Sequence, residues 1–380
     1  MAAEPRRAPC VLLTAGEASG DQAGAAVVAA LKARHPDWRL LATGGERMAA
    51  AGAELILDYR ELAVMGFAEV ITRLPALRGH LNRLRRRLED GSVDLFLPVD
   101  FPGFNLRLAA RAHRAGVPVL YFVAPQLWAW GEGRVAKLRR DVDRLALILP
   151  FEEAWFRARG VEGRFVGHPL METERPLAPA AARPRLGLLP GSRAQEVHRL
   201  LGVMLEAAAR VAASRPGLEV ELLESPGLAP SVYDAELAGA PIAPRRCRET
   251  SAAFLARQGA ALVASGTATL EAAVAGLPMV VAYRTGALNY QLARRLVRLP
   301  RIALVNVVSD AALVPELIQG DVTAEALAAA VLPLLEDGPA RRAQREGLEA
   351  LRASLGGAGC GAGVAALAEE LLAAGPGAAP

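Results

Sequence analysis

Asp100 is a residue whose surroundings suit acid–base chemistry. It ends the apolar run 95–99 and stands two residues before Pro102, where a helix pattern begins. Burial among apolar groups raises the pKa of a carboxyl and helps it to accept a proton from a hydroxyl nucleophile. Asp100 is therefore a candidate general base. As an alternative, Asp100 would be the N-cap of a helix over 104–115, with Asn105 a helix-start residue.

A glycine-rich loop, 16–21, follows the first apolar run. It does not fit the dinucleotide pattern G-x-G-x-x-G, because Ala18 replaces the second glycine and Asp21 brings a negative charge to the pyrophosphate position. No Gly-Lys-Ser/Thr follows, so the loop is not a P-loop. An acidic loop suits sugar hydroxyls or the orientation of a base, and the candidates for these roles are Gly16, Glu17 and Ser19. Asp21 has an alternative role as a helix N-cap.

The second half of the chain contains a compact turn, 189–193, between an apolar run and a helix pattern that starts at Glu196. Gly191 allows a ligand to approach the backbone closely, and Ser192 offers a hydroxyl. Arg193 carries a permanent, fork-shaped cation that suits a diphosphate. The turn therefore predicts a diphosphate site.

A similar turn, 265–271, also follows an apolar run and opens a helix. The N–H groups of Ser265, Gly266 and Thr267, at the positive end of the helix dipole, can hold anionic oxygens. Glu271 lies one turn into that helix, where its carboxylate can accept hydrogen bonds from ribose hydroxyls. Each turn alone is typical of a structural helix start, so the combination of two anion-compatible and two carboxylate-bearing turns carries the prediction.

Alternating strand and helix patterns position these loops. A chain of 380 residues predicts two domains, and a composition of 52% hydrophobic but only 5% aromatic residues favours helices over Val- and Leu-rich strands. Such alternation predicts parallel sheets with right-handed crossovers, whose ligands bind at the carboxyl ends of the strands. The predicted strands are 10–15, 39–42, 93–99, 117–123, 185–189, 218–223, 260–264 and 278–283.

The predicted fold class is α/β, with two Rossmann-like domains that face a cleft. The Pro- and Ala-rich stretch 169–184 lacks periodicity and is interpreted as the interdomain connection. The expected domains are therefore 1–170, 185–350 and a C-terminal helix with a disordered tail at 351–380. We expect the amphipathic segment 365–374 to pack back on the first domain or on a partner subunit.

Several classes of site are not expected. The three cysteines lie far apart, which indicates reduced thiols rather than disulfides or a zinc site. The five histidines show no metal-binding spacing, and no G-x-S-x-G hydrolase elbow is present, so neither a metal nor a cofactor is predicted. No apolar stretch reaches about 18 residues, and the first apolar run is too short for a signal peptide, which predicts a cytoplasmic protein.

A dense basic run follows an apolar stretch at 65–77; its members are Arg83, Arg85, Arg86 and Arg87. An apolar face flanked by arginines is typical of a helix in a membrane interface. A core-facing helix with a solvated basic side shows the same pattern, so both interpretations stay open. The net charge of +4 comes with no basic stripe interleaved with exposed aromatics, and nucleic-acid binding is not expected.

Taken together, the motifs resemble those of the lipid A disaccharide synthase family, inverting glycosyltransferases of the GT-B fold. The resemblance extends in order over residues 10 to 330. The motifs that carry it are 16–21 (GEASGD), 63–70 (AVMGFAEV), 100–105 (DFPGFN), 125–130 (PQLWAW), 149–152 (LPFE), 165–169 (FVGHP), 189–193 (LPGSR), 265–271 (SGTATLE) and 314–319 (VPELIQ).

The resemblance implies a reaction that joins UDP-2,3-diacylglucosamine to 2,3-diacylglucosamine 1-phosphate (lipid X) through a β-1,6 bond and releases UDP, without a metal. It gives Asp100 the role of base and Arg193 that of an essential arginine near the donor, and it adds Gln126 and Asn306 as substrate contacts. It also implies an N-terminal acceptor domain, peripheral on the cytoplasmic face of the anionic inner membrane, and a C-terminal UDP-sugar domain. A homodimer that exchanges C-terminal helices is compatible with it.

Three departures from the family pattern are visible. Gly103 replaces the usual second acid of the motif that begins at Asp100, Val305 replaces the proline before Asn306, and the stretches 169–184 and 225–244 are shortened. Two rival functions stay open at this stage. One is a nucleotide-sugar epimerase of the same fold, and the other is a basic membrane- or nucleic-acid-binding protein without catalysis.

Overall fold

The structure is a computed structural model that describes residues 7–61, 79–286, 290 and 301–374. It divides into two compact units. Unit 1 comprises Met1–Glu172 together with Leu355–Pro380, and unit 2 comprises Thr173–Ser354. The apolar stretch 65–77 lies outside the described residues, and a membrane-interface helix there stays a prediction.

In its described residues, unit 1 is built on seven parallel strands that follow one another across a continuous sheet. Four of them pair in the order β3-β2-β1-β4 and three in the order β5-β6-β7. Two isolated parallel bridges, from Phe96 to Val119 and from Val99 to Phe122, connect β4 to β5. Its strands are β1 (Cys10–Thr14), β2 (Arg39–Gly44), β3 (Glu54–Asp58), β4 (Leu95–Pro98), β5 (Leu120–Phe122), β6 (Arg144–Leu147) and β7 (Gly163–Phe165).

Strand order in unit 1 reverses between β1 and β4. The order runs outward from β1 to β3 on one side and from β4 to β7 on the other, as in a doubly wound Rossmann sheet. The helices of this unit are α1 (Ala18–Arg34), α2 (Glu46–Ala50), α3 (79–89), α4 (Pro102–Arg114), α5 (Val135–Asp141), α6 (Glu152–Arg157) and, near the C-terminus, α14 (Cys360–Ala374).

Both faces of the unit 1 sheet are buried, as expected for parallel strands. Successive β1 residues alternate between two hydrophobic clusters: Leu12 packs with Leu41 and Phe96 on one face, whereas Val11 and Leu13 pack on the other. The three central strands, β2, β1 and β4, consist mostly of apolar residues for this reason. Most polar residues of this region therefore lie at the strand ends and in the loops that follow.

Unit 2 repeats the same plan with six parallel strands in the order β10-β9-β8-β11-β12-β13. Its order reverses between β8 and β11. The strands are β8 (Arg185–Leu189), β9 (Glu219–Leu223), β10 (Arg245–Cys247), β11 (Ala260–Ala264), β12 (Met279–Tyr283) and β13 (Glu316–Ile318). The described helices are α7 (Ala194–Ser214), α8 (Pro230–Leu237), α9 (Ser251–Leu255), α10 (Thr267–Val274), α11 (Leu304–Val308), α12 (Ala324–Val331) and α13 (Pro339–Ser354).

The predicted connection 169–184 is attached to unit 2 over part of its length. The Ala178 N–H donates to the Ala275 carbonyl at 2.8 Å. The guanidinium of Arg341, which is almost completely buried, donates to the carbonyls of Pro179 and Ala181 at 3.0 and 3.2 Å. A stretch without periodicity is therefore held by hydrogen bonds to its backbone groups, which leave no periodic pattern in the sequence.

The C-terminal helix α14 packs against α1 in unit 1. The contact corresponds to one of the two alternatives for this segment, packing back on the first domain, while packing on a partner subunit stays a prediction. Glu172 fixes the beginning of α14, because its carboxylate accepts from the backbone N–H groups of Gly359, Cys360 and Gly361 at 2.8, 2.9 and 3.0 Å. The contact is close, since a Cβ on Gly361 would lie 2.5 Å from the Ala26 carbonyl oxygen.

The three cysteines form no disulfide, which agrees with their wide spacing in the sequence. Cys10, Cys247 and Cys360 are buried and unpaired. In the described part of the chain, no helix is both long enough and apolar enough to cross a membrane.

Gly361→Ala is expected to lower stability. The added methyl group would force α14 away from α1, and overpacking of this kind costs about 1–3 kcal/mol. Chemical unfolding followed by circular dichroism measures the change. Gly103→Ala is the matched control, because a Cβ there meets nothing within 4 Å and alanine is the better helix former; it should leave stability equal or higher. Equal losses in both variants would contradict the packing argument.

Candidate active site

The loops after β1 and β4 meet at the reversal point of unit 1. Gly16 lies against the ring of Phe101, so closely that a Cβ on Gly16 would be 2.3 Å from the Phe101 Cγ. Gly20, at the start of α1, faces the Val99 carbonyl, with 3.8 Å between that oxygen and a built Cβ. The two glycines of the predicted loop therefore allow it to contact the turn that carries Asp100. This crevice is where doubly wound sheets bind their ligands.

Asp100 has a left-handed backbone conformation. Its φ is 49°, and Phe101 follows with φ 50°. Such a conformation in a non-glycine residue costs about 1–3 kcal/mol and is found mainly at functional sites. Phe101 occupies the N-cap position of α4, which starts at Pro102. The alternative in which Asp100 itself caps a helix at 104–115 is therefore wrong, because the helix begins earlier and the tight turn displaces the Asp100 side chain from that position.

Three hydrogen bonds hold the Asp100 backbone in place. Its N–H donates to the Phe122 carbonyl at 2.9 Å. Its carbonyl accepts from the Tyr121 hydroxyl and from the Asn105 side-chain amide, both at 2.7 Å. The strained turn is thus fixed from β5 on one side and from α4 on the other.

Asn105 is buried, and its side chain binds protein groups. Its Oδ1 accepts from the Thr14 hydroxyl at 2.7 Å, and its Nδ2 lies 3.2 Å from the Thr14 carbonyl and 3.3 Å from that of Val99. These contacts join the ends of β1 and β4 to α4. They give Asn105 a role in positioning Asp100, whereas a direct contact with substrate stays a prediction.

The pKa of Asp100 is raised above the ordinary value of an aspartate. The main cause is burial, and the negative charge of Glu17 adds to it. A hydrogen bond from the Phe101 backbone acts in the opposite direction. A higher pKa makes the carboxylate a better proton acceptor near neutral pH, which is the property that a general base needs.

Glu17 and Ser19 lie exposed at the same crevice. The Ser19 hydroxyl donates to the Glu17 carboxylate at 2.6 Å. Asp21 is different, because α1 begins at Ala18 and places Asp21 inside its first turn. Its buried carboxylate accepts from the backbone N–H groups of Gly45, Arg47 and Met48 at the start of α2. Asp21 therefore caps α2, and the alternative in which it caps its own helix is wrong.

Gln126 lies in the next loop along the edge of the sheet, after β5. Its side chain is exposed, and its backbone carbonyl accepts from the N–H groups of Ala129 and Trp130 at 3.1 and 3.4 Å. A turn therefore presents Gln126 to solvent. It stands beside the Asp100 loop in strand order, because β5 neighbours β4.

In unit 2, the turn after β8 binds a carboxylate of its own. The backbone N–H groups of Ser192 and Arg193 donate to Glu196 at 3.0 and 3.3 Å. The Arg193 side chain is 79% exposed, and its guanidinium also binds Glu196, at 2.9 Å. Gly191 has φ 119°, and a Cβ there would be 2.4 Å from the Glu196 carboxylate. The turn thus binds a carboxylate of its own helix in a capping box, and its role as a diphosphate site stays a prediction.

The second turn of unit 2 follows β11, the strand next to β8. Gly266 is the N-cap of α10, with φ 153°, and both Gly266 and Thr267 are exposed. Ser265 and Glu271 are half-buried, and the Glu271 carboxylate lies 3.9 Å from the guanidinium of Arg175. The anion-compatible groups of unit 2 are therefore gathered at its reversal point, between β8 and β11.

Asn306 lies in α11, a helix that contacts α10. It is buried, and its side chain binds the Val314 backbone on both sides: the amide donates to the carbonyl at 2.8 Å, and the Oδ1 accepts from the N–H at 2.9 Å. The same amide donates to the Glu316 carboxylate at 2.6 Å. Asn306 therefore holds the segment before β13, and its contact with a substrate stays a prediction.

Several residues that shape the site have no distinct signal in the sequence. Tyr121 and Thr14 look like ordinary strand residues, and Glu196 and Glu152 look like helix-start acids. Each is found only from its contacts in the structure: Tyr121 with the Asp100 carbonyl, Thr14 with the Asn105 side chain, Glu196 with the turn before α7, and Glu152 with Trp128 and the turn before α6. Among the described residues, no group of three or more His, Cys, Asp or Glu side chains is placed to hold a metal ion.

Comparison with known proteins decides the family. The sequence model of the family described as lipid-A-disaccharide synthetase matches residues 11–366. The chain belongs to this family. A lipid-A-disaccharide synthase of Myxococcus xanthus is 40% identical over 374 residues, which cover 96% of this chain and 98% of the relative. One of Pseudomonas syringae pv. tomato is 40% identical over 351 residues, 90% of this chain and 92% of the relative.

Solved structures confirm the predicted fold class. The glycotransferase of kitacinnamycin matches with a TM-score of 0.64 and 20% identity, covering 96% of this chain and 99% of that one. A UDP-GlcNAc 2-epimerase from Neisseria meningitidis matches with a TM-score of 0.62 and 13% identity, covering 96% of this chain and 100% of that one. The fold is thus shared by glycosyltransferases and epimerases. The family assignment separates them and makes the chain a glycosyltransferase of lipid A biosynthesis, so the epimerase alternative is not favoured.

Glu17→Gln is expected to shift the acidic limb of the pH–rate profile to lower pH. The substitution removes a negative charge that raises the Asp100 pKa, so Asp100 stays ionised to a lower pH. The profile of kcat/KM for sugar transfer measures the shift. Glu46→Gln serves as the control, because this exposed carboxylate pairs with Arg60. An unchanged limb in Glu17→Gln would contradict the electrostatic coupling.

Proposed function

We propose that the chain transfers the diacylglucosamine unit of UDP-2,3-diacylglucosamine to the 6-hydroxyl of 2,3-diacylglucosamine 1-phosphate, forming the β-1,6 disaccharide and UDP. The observation that carries this proposal is the distribution of groups over the two reversal points. One bears a half-buried carboxylate of raised pKa, and the other bears an exposed arginine next to backbone N–H groups, both of which bind the Glu196 carboxylate. These are the groups that a hydroxyl nucleophile and a diphosphate leaving group require.

Unit 1 supplies the base in this mechanism. The Asp100 carboxylate takes the proton of the acceptor 6-hydroxyl, while the oxygen attacks the anomeric carbon of the donor. The bond from that carbon to the diphosphate oxygen breaks, the electron pair leaves with UDP, and the anomeric configuration inverts. Glu17, Ser19 and Gln126, which are exposed around Asp100, would bind hydroxyl groups of the sugar.

Unit 2 holds the donor. The Arg193 guanidinium and the N–H groups of the turn at Gly191 bind the diphosphate and stabilise the charge that grows on departing UDP. The Glu196 carboxylate binds these donors in the structure, so a diphosphate that binds them displaces one anion and takes its place. The N-terminus of α10 at Gly266 adds further N–H groups, and Glu271 accepts from the ribose hydroxyls.

The basic face of α3 supports peripheral binding to the cytoplasmic face of an anionic membrane. Arg83, Arg86 and Arg87 line a cavity of about 470 Å³, and among the described residues Gly79, Asn82 and Asp90 line it with them. Arg85 lies on another side of the helix and pairs with Glu89 at 2.9 Å. Three of the four arginines of the run therefore share one face, which suits lipid phosphate groups.

Asp100→Asn is expected to lower kcat by about 10²- to 10⁴-fold, the usual contribution of a general base. Donor binding should be retained, because the diphosphate contacts lie in unit 2. Mass spectrometry of the disaccharide together with UDP release measures transfer, and calorimetry with UDP measures donor binding. The exposed Asp37→Asn is the control for a neutral change. Near-normal turnover in Asp100→Asn would exclude Asp100 as the base.

Arg83→Gln with Arg86→Gln is expected to weaken binding to phosphatidylglycerol vesicles. Each arginine near an anionic surface contributes about 1 kcal/mol, so the loss should be about 30-fold at low salt. Vesicle co-sedimentation measures it. Arg85→Gln is the matched control on the other side of the same helix and should bind nearly as the wild type does. Equal losses would show that the binding does not depend on this face.

A further inference from the structure

Among the residues that the structure describes, Glu152 is a buried carboxylate without a cationic partner. It is the first residue of α6, after β6, and is 1% exposed. Its Oε1 accepts from the Trp128 indole N–H at 3.0 Å, and its Oε2 accepts from the backbone N–H groups of Leu149 and Ile148 at 3.1 and 3.3 Å. Within the described ranges it forms no ion pair. Burial of a carboxylate is costly unless hydrogen bonds compensate it, so these three donors are what keeps Glu152 in place.

Trp128 is the centre of the loop that follows β5. Its indole packs edge-on against Phe151, with 5.0 Å between ring centroids. The residues beside it, Leu127 and Ala129, are buried, whereas Gln126 and Trp130 point outward, and Trp130 is 52% exposed. In the part of the chain that is described, the bond to Glu152 is the single side-chain hydrogen bond of this loop. Glu152 therefore determines how the loop presents its outward-facing side chains.

The same loop begins next to Asp100. Val123, the residue after β5, is β-branched and has φ 58°, a rare conformation for such a residue. One residue earlier, the Phe122 carbonyl accepts from the Asp100 N–H, and the Tyr121 hydroxyl donates to the Asp100 carbonyl. A change in the course of the loop is thus coupled to the backbone that carries the base.

We propose that Glu152 is a positioning residue for the acceptor: by holding the Trp128 indole it sets the loop 124–130 against Asp100, so that Gln126 and Trp130 form one wall of the acceptor site. This inference rests on the proposed function. It explains why position 152 carries a carboxylate although it is buried. Hydrogen bonds from three donors fix the orientation of the loop, whereas apolar packing has no preferred direction.

The surroundings of Glu152 make this contact sensitive to pH. Burial raises the pKa of Glu152 to about 7, and the hydrogen bonds from Trp128, Leu149 and Ile148 oppose that rise. The neighbouring carboxylate, Glu153, faces elsewhere and binds Arg157 and the Phe165 N–H. Protonation of Glu152 adds a donor where three donors already converge, so the Trp128 contact weakens as the pH falls through about 7.

The first test is kinetic. Trp128→Phe keeps an aromatic ring against Phe151 but removes the indole N–H, and it should raise the KM for the acceptor by about 10- to 100-fold, the equivalent of a hydrogen bond to a charged group. The KM for the UDP donor should stay within about twofold. Trp155→Phe, on α6 but outside the loop, is the matched control and should leave both constants unchanged. An unchanged acceptor KM in Trp128→Phe, with wild-type transfer intact, would overturn the proposal.

The second test does not depend on turnover. The Trp128 indole N–H resonance in ¹⁵N NMR, assigned by its loss in Trp128→Phe, should titrate with a midpoint near pH 7 and lose that titration in Glu152→Gln. A flat resonance in the wild type would overturn the proposed contact. If the wild type titrates but transfers no sugar, the proposed function fails while the Glu152 contact stands. In a double-mutant cycle, Glu152→Gln should change the acceptor KM much less in Trp128→Phe than in the wild type, and additive effects would count against the proposal.

Discussion

The reversal of strand order is the constraint on which both candidate sites depend. In a doubly wound sheet, the connections from the two central strands run to opposite sides and leave a crevice at the carboxyl ends of those strands. Unit 1 reverses between β1 and β4, and unit 2 between β8 and β11. The loops that follow these four strands carry Glu17, Asp100, Arg193 and Gly266. Elements that are far apart in the sequence therefore supply each site in pairs.

The Asp100 turn shows how a strained segment is maintained. Two consecutive left-handed residues are unfavourable by themselves, and the fold offsets that cost with directed contacts. Asn105 and Tyr121 hold the Asp100 carbonyl, and Gly16 leaves the space that the Phe101 ring fills. The carboxyl is consequently held among apolar groups and near Glu17, and both surroundings raise its pKa. Strain and proton affinity have one structural origin.

Carboxylates bound to backbone N–H groups recur throughout the chain and have different consequences. Asp21 joins α1 to α2, and Glu172 fixes the start of α14; both stabilise the fold. Glu196 occupies N–H groups that we assign to the diphosphate, so its contact competes with the ligand. Glu152 binds a side chain of a loop beside the base. The chemistry of the contact is the same in every case, and its location decides whether it affects stability, binding or positioning.

The sequence alone determined the local features. Apolar runs followed by Gly-, Ser- and Asp-rich loops predicted eight of the thirteen described strands, their parallel pairing and the loops that carry Asp100 and Arg193, because strand burial and turn chemistry depend on neighbouring residues. The five strands that were not predicted, β3, β6, β7, β10 and β13, are short or partly polar. The ordered motifs predicted the family. Only the tertiary structure decided the partners of Asp21, Asn105, Asn306 and Glu152. Each of them has a partner outside its own element, from 8 residues away for Asn306 to 91 residues away for Asn105, and a carboxylate or amide with such a partner has the same local sequence as one that faces a ligand.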